Sequence, residues 1–146
     1  MIALVGCVML TAWGDNDRAP TTPGPTQIDV TGRWTGDLTF QGATARMMWT
    51  LNQTGSAVTG PVVLALPSGT VLLNGVLNGT MTGSSLAYVI TVSPGGIPLQ
   101  PACSGQLGGT MMVTQAPTST MNGNIAVTSS TCAIQFSSTG IALTKQ

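Results

Sequence analysis

The sequence predicts one all-β domain, an eight-stranded antiparallel up-and-down β-barrel, with a β-sandwich as the alternative. First, glycine and large apolar residues alternate with period two, as in Gly32-x-Trp34-x-Gly36, which places them on one face of a strand. Second, threonine occurs 23 times whereas charged residues make up only 5% of the chain, and β-branched threonine favours strands. Third, eight such runs follow one another between residues 30 and 145, mostly with short turns between them. A meander of that length closes into a barrel.

The first two strands are predicted at residues 30–40 and 43–53, joined by a two-residue turn at Gln41 and Gly42. This register brings Asp37 opposite Arg46 on the outer face, and opposite charges in a cross-strand pair are favourable. On the inner face it pairs Leu38 with Ala45, Gly36 with Met47, and Trp34 with Trp49. One register therefore satisfies both the packing and the charges.

A second two-residue turn, at Thr54 and Gly55, predicts how the third strand pairs with the second. The expected inner pairs are Leu51 with Val58, Trp49 with Gly60, and Met47 with Val62. The later strands are predicted at residues 70–82, 86–92, 103–115, 119–129 and 139–145, and the longest loop begins at Ser93. Glycines face bulky residues in these registers, as Gly36 faces Met47, Gly60 faces Trp49, and Gly123 faces Met111. Such pairs favour a largely filled interior.

Cys103 and Cys132 are the two cysteines of the predicted barrel region. A turn at residues 116–118 pairs Met111 with Gly123 and Leu107 with Val127, and it sets Cys103 opposite Thr131, next to Cys132. In an exported chain such a pair forms a structural disulfide. Neither cysteine has a basic neighbour in the sequence that would activate it as a nucleophile. The sequence therefore predicts the Cys103–Cys132 disulfide.

Residues 1–13 are predicted to be an export leader, residues 14–28 a flexible Pro/Thr-rich tether, and residues 29–146 the barrel domain. The apolar run at residues 2–12 has the length of a signal-peptide core and is too short to span a bilayer. It resembles the leaders of bacterial lipoproteins, whose short motif ends in a lipidated cysteine. Leu4-Val5-Gly6-Cys7 matches the motif, whereas Leu10-Thr11-Ala12-Trp13 has the better position but carries Trp13 in place of the cysteine. The resemblance implies export to the bacterial cell envelope, outer membrane or periplasm, or to the medium, and it implies membrane attachment through an N-terminal lipid. The alternative is a cleaved, secreted protein that loses Cys7 with its signal peptide.

The segment that begins the barrel reads Thr31-Gly32-Arg33-Trp34-Thr35-Gly36-Asp37-Leu38. It resembles the first strand of the calycin barrels, the lipocalins and avidins, in which Gly-x-Trp closes the floor of the barrel. In lipocalins a basic residue of the final strand packs across that tryptophan, and the resemblance implies this role for Lys145. The ring of Trp, Ser and Tyr with which avidins hold biotin has no counterpart beyond Trp34 and Trp49. The resemblance therefore implies the fold and not the ligand.

The composition leaves few candidates for catalysis or metal binding. The chain has no histidine and no glutamate, and four acidic residues balance four basic ones. A general base would have to be Asp29 or Asp37, and Asp37 is better explained as the partner of Arg46. We therefore expect a protein that is not an enzyme and has no metal site and no cofactor. A net charge near zero also argues against a nucleic-acid partner.

Two functions remain open from the sequence. The inward-facing residues could line a site for a small apolar ligand, and they are Trp34, Met47, Trp49, Leu51, Val58, Val62, Leu64 and Tyr88. The same residues also read as an ordinary packed core. The barrel would then be a structural protein that self-associates as a homo-oligomer through its uncharged outer faces and the apolar strand at residues 86–92. A cavity of several hundred Å³ beside Trp34 and Trp49 would favour binding.

Overall fold

The computed structural model describes residues 27–40, 42–133 and 138–146. These residues form a closed antiparallel barrel in which each strand pairs with the next and the last pairs with the first. The eight strands are β1 (Gly32–Phe40), β2 (Ala43–Thr54), β3 (Ala57–Ala65), β4 (Val71–Thr82), β5 (Ser85–Val92), β6 (Gly105–Thr114), β7 (Thr120–Ser130) and β8 (Thr139–Lys145). The predicted barrel is confirmed, and the β-sandwich is wrong. The leader at residues 1–13, and the tether up to residue 26, lie outside the described residues.

The period-two pattern of the sequence produces the inside and the outside of the barrel. In β5, Leu86, Tyr88, Ile90 and Val92 are buried, and the residues between them are exposed or half-buried. The buried side chains of all eight strands meet in one core. Among the described residues each strand pairs with a neighbour on both sides, and the closing pair of β1 with β8 consists of Trp34 with Lys145 and Thr35 with Thr144. Closure thus limits the open strand edges that invite association with other chains.

The predicted register of β1 on β2 is confirmed. Trp34 pairs with Trp49, and Gly36 pairs with Met47. On the outer face the Nε of Arg46 lies 3.2 Å from Oδ1 of Asp37. Because both side chains are more than half exposed, this ion pair contributes little to stability. The register of β1 on β2 is therefore stabilised mainly by the packing inside the barrel.

The predicted register of β2 on β3 is wrong by two residues. The structure pairs Gln53, not Leu51, with Val58; it pairs Trp49 with Val62 and Met47 with Leu64. The turn consists of Gly55 and Ser56, and Gly55 has a φ of +59°. Glycine adopts that conformation without strain, whereas β-branched Thr54 does not, so Thr54 stays in the strand. A shift of two residues keeps every inward residue inward.

The role expected of Gly60 changes with this register. Gly60 does not face Trp49; it pairs with Leu77 of β4, and a Cβ at Gly60 would collide with the backbone carbonyl of Thr50. Gly36 and Gly123 do face Met47 and Met111 as predicted. A Cβ at either of these would also collide with the backbone of a neighbouring strand. These glycines therefore allow neighbouring strands to approach closely, which a strongly curved small barrel requires.

The register of β6 on β7 is as predicted over most of its length. Met111 pairs with Gly123 and Leu107 with Val127, and a bulge next to Leu107 shifts the pairing by one residue beyond it. The connecting loop is five residues, 115–119, not the three expected. The Cys103–Cys132 disulfide is confirmed, with the two Cα atoms 5.0 Å apart. Because of the bulge, it is Ser104 whose carbonyl accepts the hydrogen bond from the backbone N–H of Thr131.

Candidate ligand-binding site

The two ends of the barrel differ in how they are covered. At one end, called the closed end, lie residues 27–31 and the turns at residues 55–56 and 83–84. At the other, called the open end, lie residues 66–70 and 93–104 and the segment after β7. The alternation of strands up and down the barrel puts every second connection at each end.

The closed end is sealed by hydrogen bonds around Val30 and Trp34, which are both fully buried. Nε1 of Trp34 donates to the carbonyl of Val30 at 2.8 Å. The side chain of Gln53 holds the same segment, because its Oε1 accepts from the backbone N–H of Val30 at 2.9 Å and its Nε2 donates to the carbonyl of Ile28 at 3.0 Å. Hydrogen bonds from Thr31 hold the pKa of Asp29 below its ordinary value. The segment before β1 thus forms the floor of the barrel.

Lys145 completes this floor from the last strand. It pairs with Trp34 across β1 and β8. Its Nζ lies 5.7 Å from the centroid of the Trp34 ring, within the range of a cation–π interaction. The placement that the calycin resemblance implies for Lys145 is confirmed.

Most of the residues predicted to bind a ligand lie in the filled part of the core. Seven are buried, namely Trp34, Met47, Trp49, Leu51, Val58, Val62 and Tyr88. Trp49 and Tyr88 meet edge to face with ring centroids 4.9 Å apart, a favourable geometry for aromatic rings. The structure brings these residues together as a packed cluster, and none of the seven lines the cavity described below.

Tyr88 and Trp49 carry the polar atoms of this cluster. The hydroxyl of Tyr88 donates to the carbonyl of Asn124 at 2.9 Å, and Gly109 leaves room for it. Burial raises the pKa of the Tyr88 phenol above its ordinary value of 10. Nε1 of Trp49 is buried and has no hydrogen-bond partner among the described residues.

A cavity of about 180 Å³ lies at the open end, and we call it the open-end cavity. Leu64 is the one predicted site residue that lines it. Its walls are mainly aliphatic, contributed by Leu38, Leu64, Leu66, Leu72, Leu73, Val92, Ile97, Leu99, Leu107 and Val127. Gln106, Ser129, Ser130 and Thr139 supply the polar part of its lining, and none of the described residues that line it is charged. The lining of the cavity therefore favours an apolar occupant.

The loop at residues 93–104 forms one wall of the open-end cavity and is held to the segment that follows β7. Ile97 and Leu99 of this loop line the cavity, and Leu99 is 74% exposed, so the cavity reaches the surface beside it. The Cys103–Cys132 disulfide joins the end of the loop to the segment after β7, and Cys132 itself lines the cavity. Oε1 of Gln100 accepts a hydrogen bond from the backbone N–H of Ala133 at 3.1 Å. Sequence reasoning missed these residues, although two aliphatic side chains in a loop were a signal.

A second concavity of about 410 Å³ adjoins the first on the outside of the barrel, and we call it the outer groove. Asp37 and Arg46 line it, together with Met48 and Val63 on the outer faces of β2 and β3. Pro67, Gly69 and Val71 form its rim. Ala45 and Leu66 line both concavities. The apolar cavity and the exposed ion pair are therefore neighbours.

No protein-family model, no curated protein and no solved structure matches the chain. Among the described residues, no three His, Cys, Asp or Glu side chains are grouped as a metal site. The same part of the chain has no helix of the length and hydropathy that a membrane span requires.

Proposed function

We propose that this protein is a non-enzymatic, exported β-barrel of the cell envelope or the medium that binds a small apolar ligand in the open-end cavity. The single observation that carries the proposal is the cavity itself. It is lined by aliphatic side chains from the seven strands β1 to β7 and from the loop at residues 93–104, and none of the described residues that line it is charged. Small-molecule sites have this composition, with a few polar groups at defined positions.

The volume of the cavity limits the ligand. An apolar cavity of about 150 Å³ binds benzene, and pockets for drug-sized ligands measure about 300–1,000 Å³. At about 180 Å³, the open-end cavity has room for an aromatic ring or a short stretch of aliphatic chain. The ligand is therefore small, or it is held by one end.

Two further features support a calycin-like, exported protein. Lys145 lies over Trp34 at the floor of an eight-stranded barrel, as the resemblance implies. The Cys103–Cys132 disulfide joins the segments on either side of β6 and β7, and disulfides persist in oxidising compartments. These features bear on the family and the compartment and do not identify the ligand.

The test is a titration with N-phenyl-1-naphthylamine, an uncharged probe that fluoresces in apolar sites. We expect its phenyl ring, for which the cavity has room, to enter, and its naphthyl group to lie at the mouth beside Leu99. We expect saturable binding to the wild type, and we expect Leu64→Trp, which fills the cavity, to weaken it at least tenfold. Met112→Trp places the same side chain on the outer face and should bind the probe as the wild type does. Equal binding by all three proteins would refute the proposal. Native mass spectrometry of the purified protein would also show any ligand that copurifies.

Self-association is a second candidate function, favoured by the outer faces of β4, β5 and β6. Val76, Val89 and Met112 lie there and are 40–53% exposed. Val76 and Val89 are diagonal neighbours across β4 and β5. The chain has no charged residue between residues 47 and 144, so nothing on these strands repels a second copy.

Sedimentation velocity tests this second candidate. We expect Val89→Asp to shift an oligomeric wild type to monomer, and Thr144→Asp, which adds the same charge to the exposed face of β8, to leave it unchanged. A wild type that is monomeric at high concentration would exclude self-association.

A further inference from the structure

The open-end cavity and the outer groove together form a site of mixed character. The first is aliphatic, and the second contains a positive and a negative side chain. They adjoin at Ala45 and Leu66. A ligand that fills the cavity as far as Ala45 and Leu66 would therefore lie next to the outer groove.

Arg46 and Asp37 are the only charged residues that the structure describes toward this end of the barrel. The other charged residues within the described ranges are Asp29, Arg33 and Lys145, and they lie at or next to the closed end. No charged residue follows Arg46 until Lys145. One cation and one anion therefore stand beside the cavity on an otherwise uncharged surface.

The ion pair is free to accept a ligand. Its hydrogen bond uses only Nε of Arg46 at 3.2 Å, and the side chains are 63% and 57% exposed. An exposed pair of this kind is weak, so a ligand can replace it at low cost. A guanidinium has further N–H donors in the geometry that an oxyanion such as a phosphate requires.

We propose that the ligand of this site is an amphiphile with an aliphatic chain and a zwitterionic headgroup. The chain occupies the open-end cavity, the anionic centre of the headgroup binds Arg46, and the cationic centre lies against Asp37. This inference rests on the proposed function, because it names the class of ligand that the same cavity takes.

The sizes of the two concavities fit an aliphatic chain in the open-end cavity and a headgroup in the outer groove. By comparison with the cavity that binds benzene, the open-end cavity holds about six carbon atoms. A longer chain and its headgroup must then lie outside, and the outer groove offers about 410 Å³ there. A headgroup with no net charge also matches a pair of side chains with no net charge.

Isothermal titration with three amphiphiles below their micelle concentrations tests the proposal. The probes are decylphosphocholine, which is zwitterionic, decyl maltoside, which is uncharged, and decyl sulfate, which is anionic. We expect decylphosphocholine to bind about tenfold more tightly than the maltoside, since a hydrogen bond to a charged group contributes about that factor.

The variants separate the headgroup from the chain. Arg46→Gln and Asp37→Asn should each remove the preference for decylphosphocholine and leave the affinity for the maltoside unchanged. Arg33→Gln removes the same charge from an exposed arginine that contacts Met48 but does not itself line the outer groove, and it should retain the preference. Leu64→Trp should weaken all three probes. Thermal unfolding of each variant checks that it is folded.

The possible failures are distinguishable. If the three probes bind equally and Arg46→Gln changes nothing, the headgroup assignment is overturned while the cavity remains a binding site. If none of the probes binds, and N-phenyl-1-naphthylamine does not bind, the proposed function itself fails. If decylphosphocholine does bind, flotation with phosphatidylcholine vesicles shows where the protein obtains its ligand. Binding to the vesicles indicates a lipid taken from a bilayer, whereas binding only to monomeric decylphosphocholine indicates a dispersed amphiphile.

Discussion

The closed end and the open end of this barrel are built from different kinds of interaction. At the closed end, Trp34, Gln53 and Lys145 fix the segment before β1 by hydrogen bonds and a cation–π contact. At the open end, aliphatic side chains surround a cavity, and the loop that covers it is held by a disulfide. The contacts that fix the N-terminal segment therefore lie at one end of the barrel, and the cavity lies at the other.

The difference follows from how the chain reaches each end. The closed end has two-residue turns at Gly55 and Gly83 and a five-residue loop at residues 115–119, so its inward side chains come from the strands and from the segment before β1. The open end has the longest connection among the described residues, 93–104, and its wall depends on where Ile97 and Leu99 are held. Loops of this kind carry function on a rigid scaffold.

The largest expected effect concerns the closed end. Trp34→Ala should lower the free energy of unfolding by about 3–5 kcal/mol, because it removes a fully buried indole and leaves a cavity. Leu99→Ala, at the exposed mouth of the open end, should change it by less than about 0.5 kcal/mol. Urea denaturation measures both. Similar losses in the two variants would remove the distinction between the ends.

The disulfide connects the two properties of the open end, its stability and its cavity. Replacing Cys103 and Cys132 together by serine should lower the free energy of unfolding by about 3–4 kcal/mol, since the bond closes a loop of 29 residues. The same double variant should bind N-phenyl-1-naphthylamine more weakly at a temperature where it is still folded. Unchanged probe binding would show that the bond stabilises the fold without shaping the cavity.

Gln53 provides a smaller test of the closed end. Gln53→Ala should lower the free energy of unfolding by about 2 kcal/mol, because the backbone N–H of Val30 and the carbonyl of Ile28 lose their hydrogen-bond partner. Asn52→Ala is the matched control, since Asn52 is the adjacent, exposed amide on the same strand. Denaturation curves in urea give the two values. Equal losses in the two variants would mean that the hydrogen bonds of Gln53 to Val30 and Ile28 do not stabilise the barrel.

The smallest effect is the pH dependence that Tyr88 contributes. Burial raises the pKa of its phenol, so above pH 10 the unfolded chain releases a proton that the folded barrel keeps. The free energy of unfolding should therefore be unaffected by this residue below about pH 10 and should fall above it. Tyr88→Phe should lower the free energy of unfolding by about 1 kcal/mol at neutral pH, because the hydrogen bond to the carbonyl of Asn124 is lost. Its free energy of unfolding should not show the decrease above pH 10. A parallel alkaline decrease in both proteins would contradict the assignment, because the chain has one tyrosine.

The sequence predicts the barrel well because period-two alternation decides which residues face inward. It predicts the register of β1 on β2 because the short turn at Gly42 and the pair of Asp37 with Arg46 agree. The register of β2 on β3 was predicted wrongly, since the pattern does not say whether Thr54 or Ser56 joins Gly55 in the turn. Two-residue slips keep the same faces, so alternation cannot correct them.

The site was less accessible to sequence reasoning. Leu64 was predicted, but the other predicted residues lie in the packed half of the core. Ile97 and Leu99 reach the cavity through the path of a long loop, which no strand pattern describes. Gln53 acts on Val30, 23 residues away in the chain, and its place at the end of a strand indicates nothing about that contact.

The central claim is that the open end, and not the closed end, takes up apolar ligands. Methyl NMR spectra recorded while hexane is added to the wild type test it most directly. We expect saturable shifts for the methyl groups of Leu64, Leu107 and Val127, which line the open-end cavity, and none for those of Leu51 and Val58 in the closed half. Shifts confined to Leu51 and Val58, or no saturable shift anywhere, would contradict it.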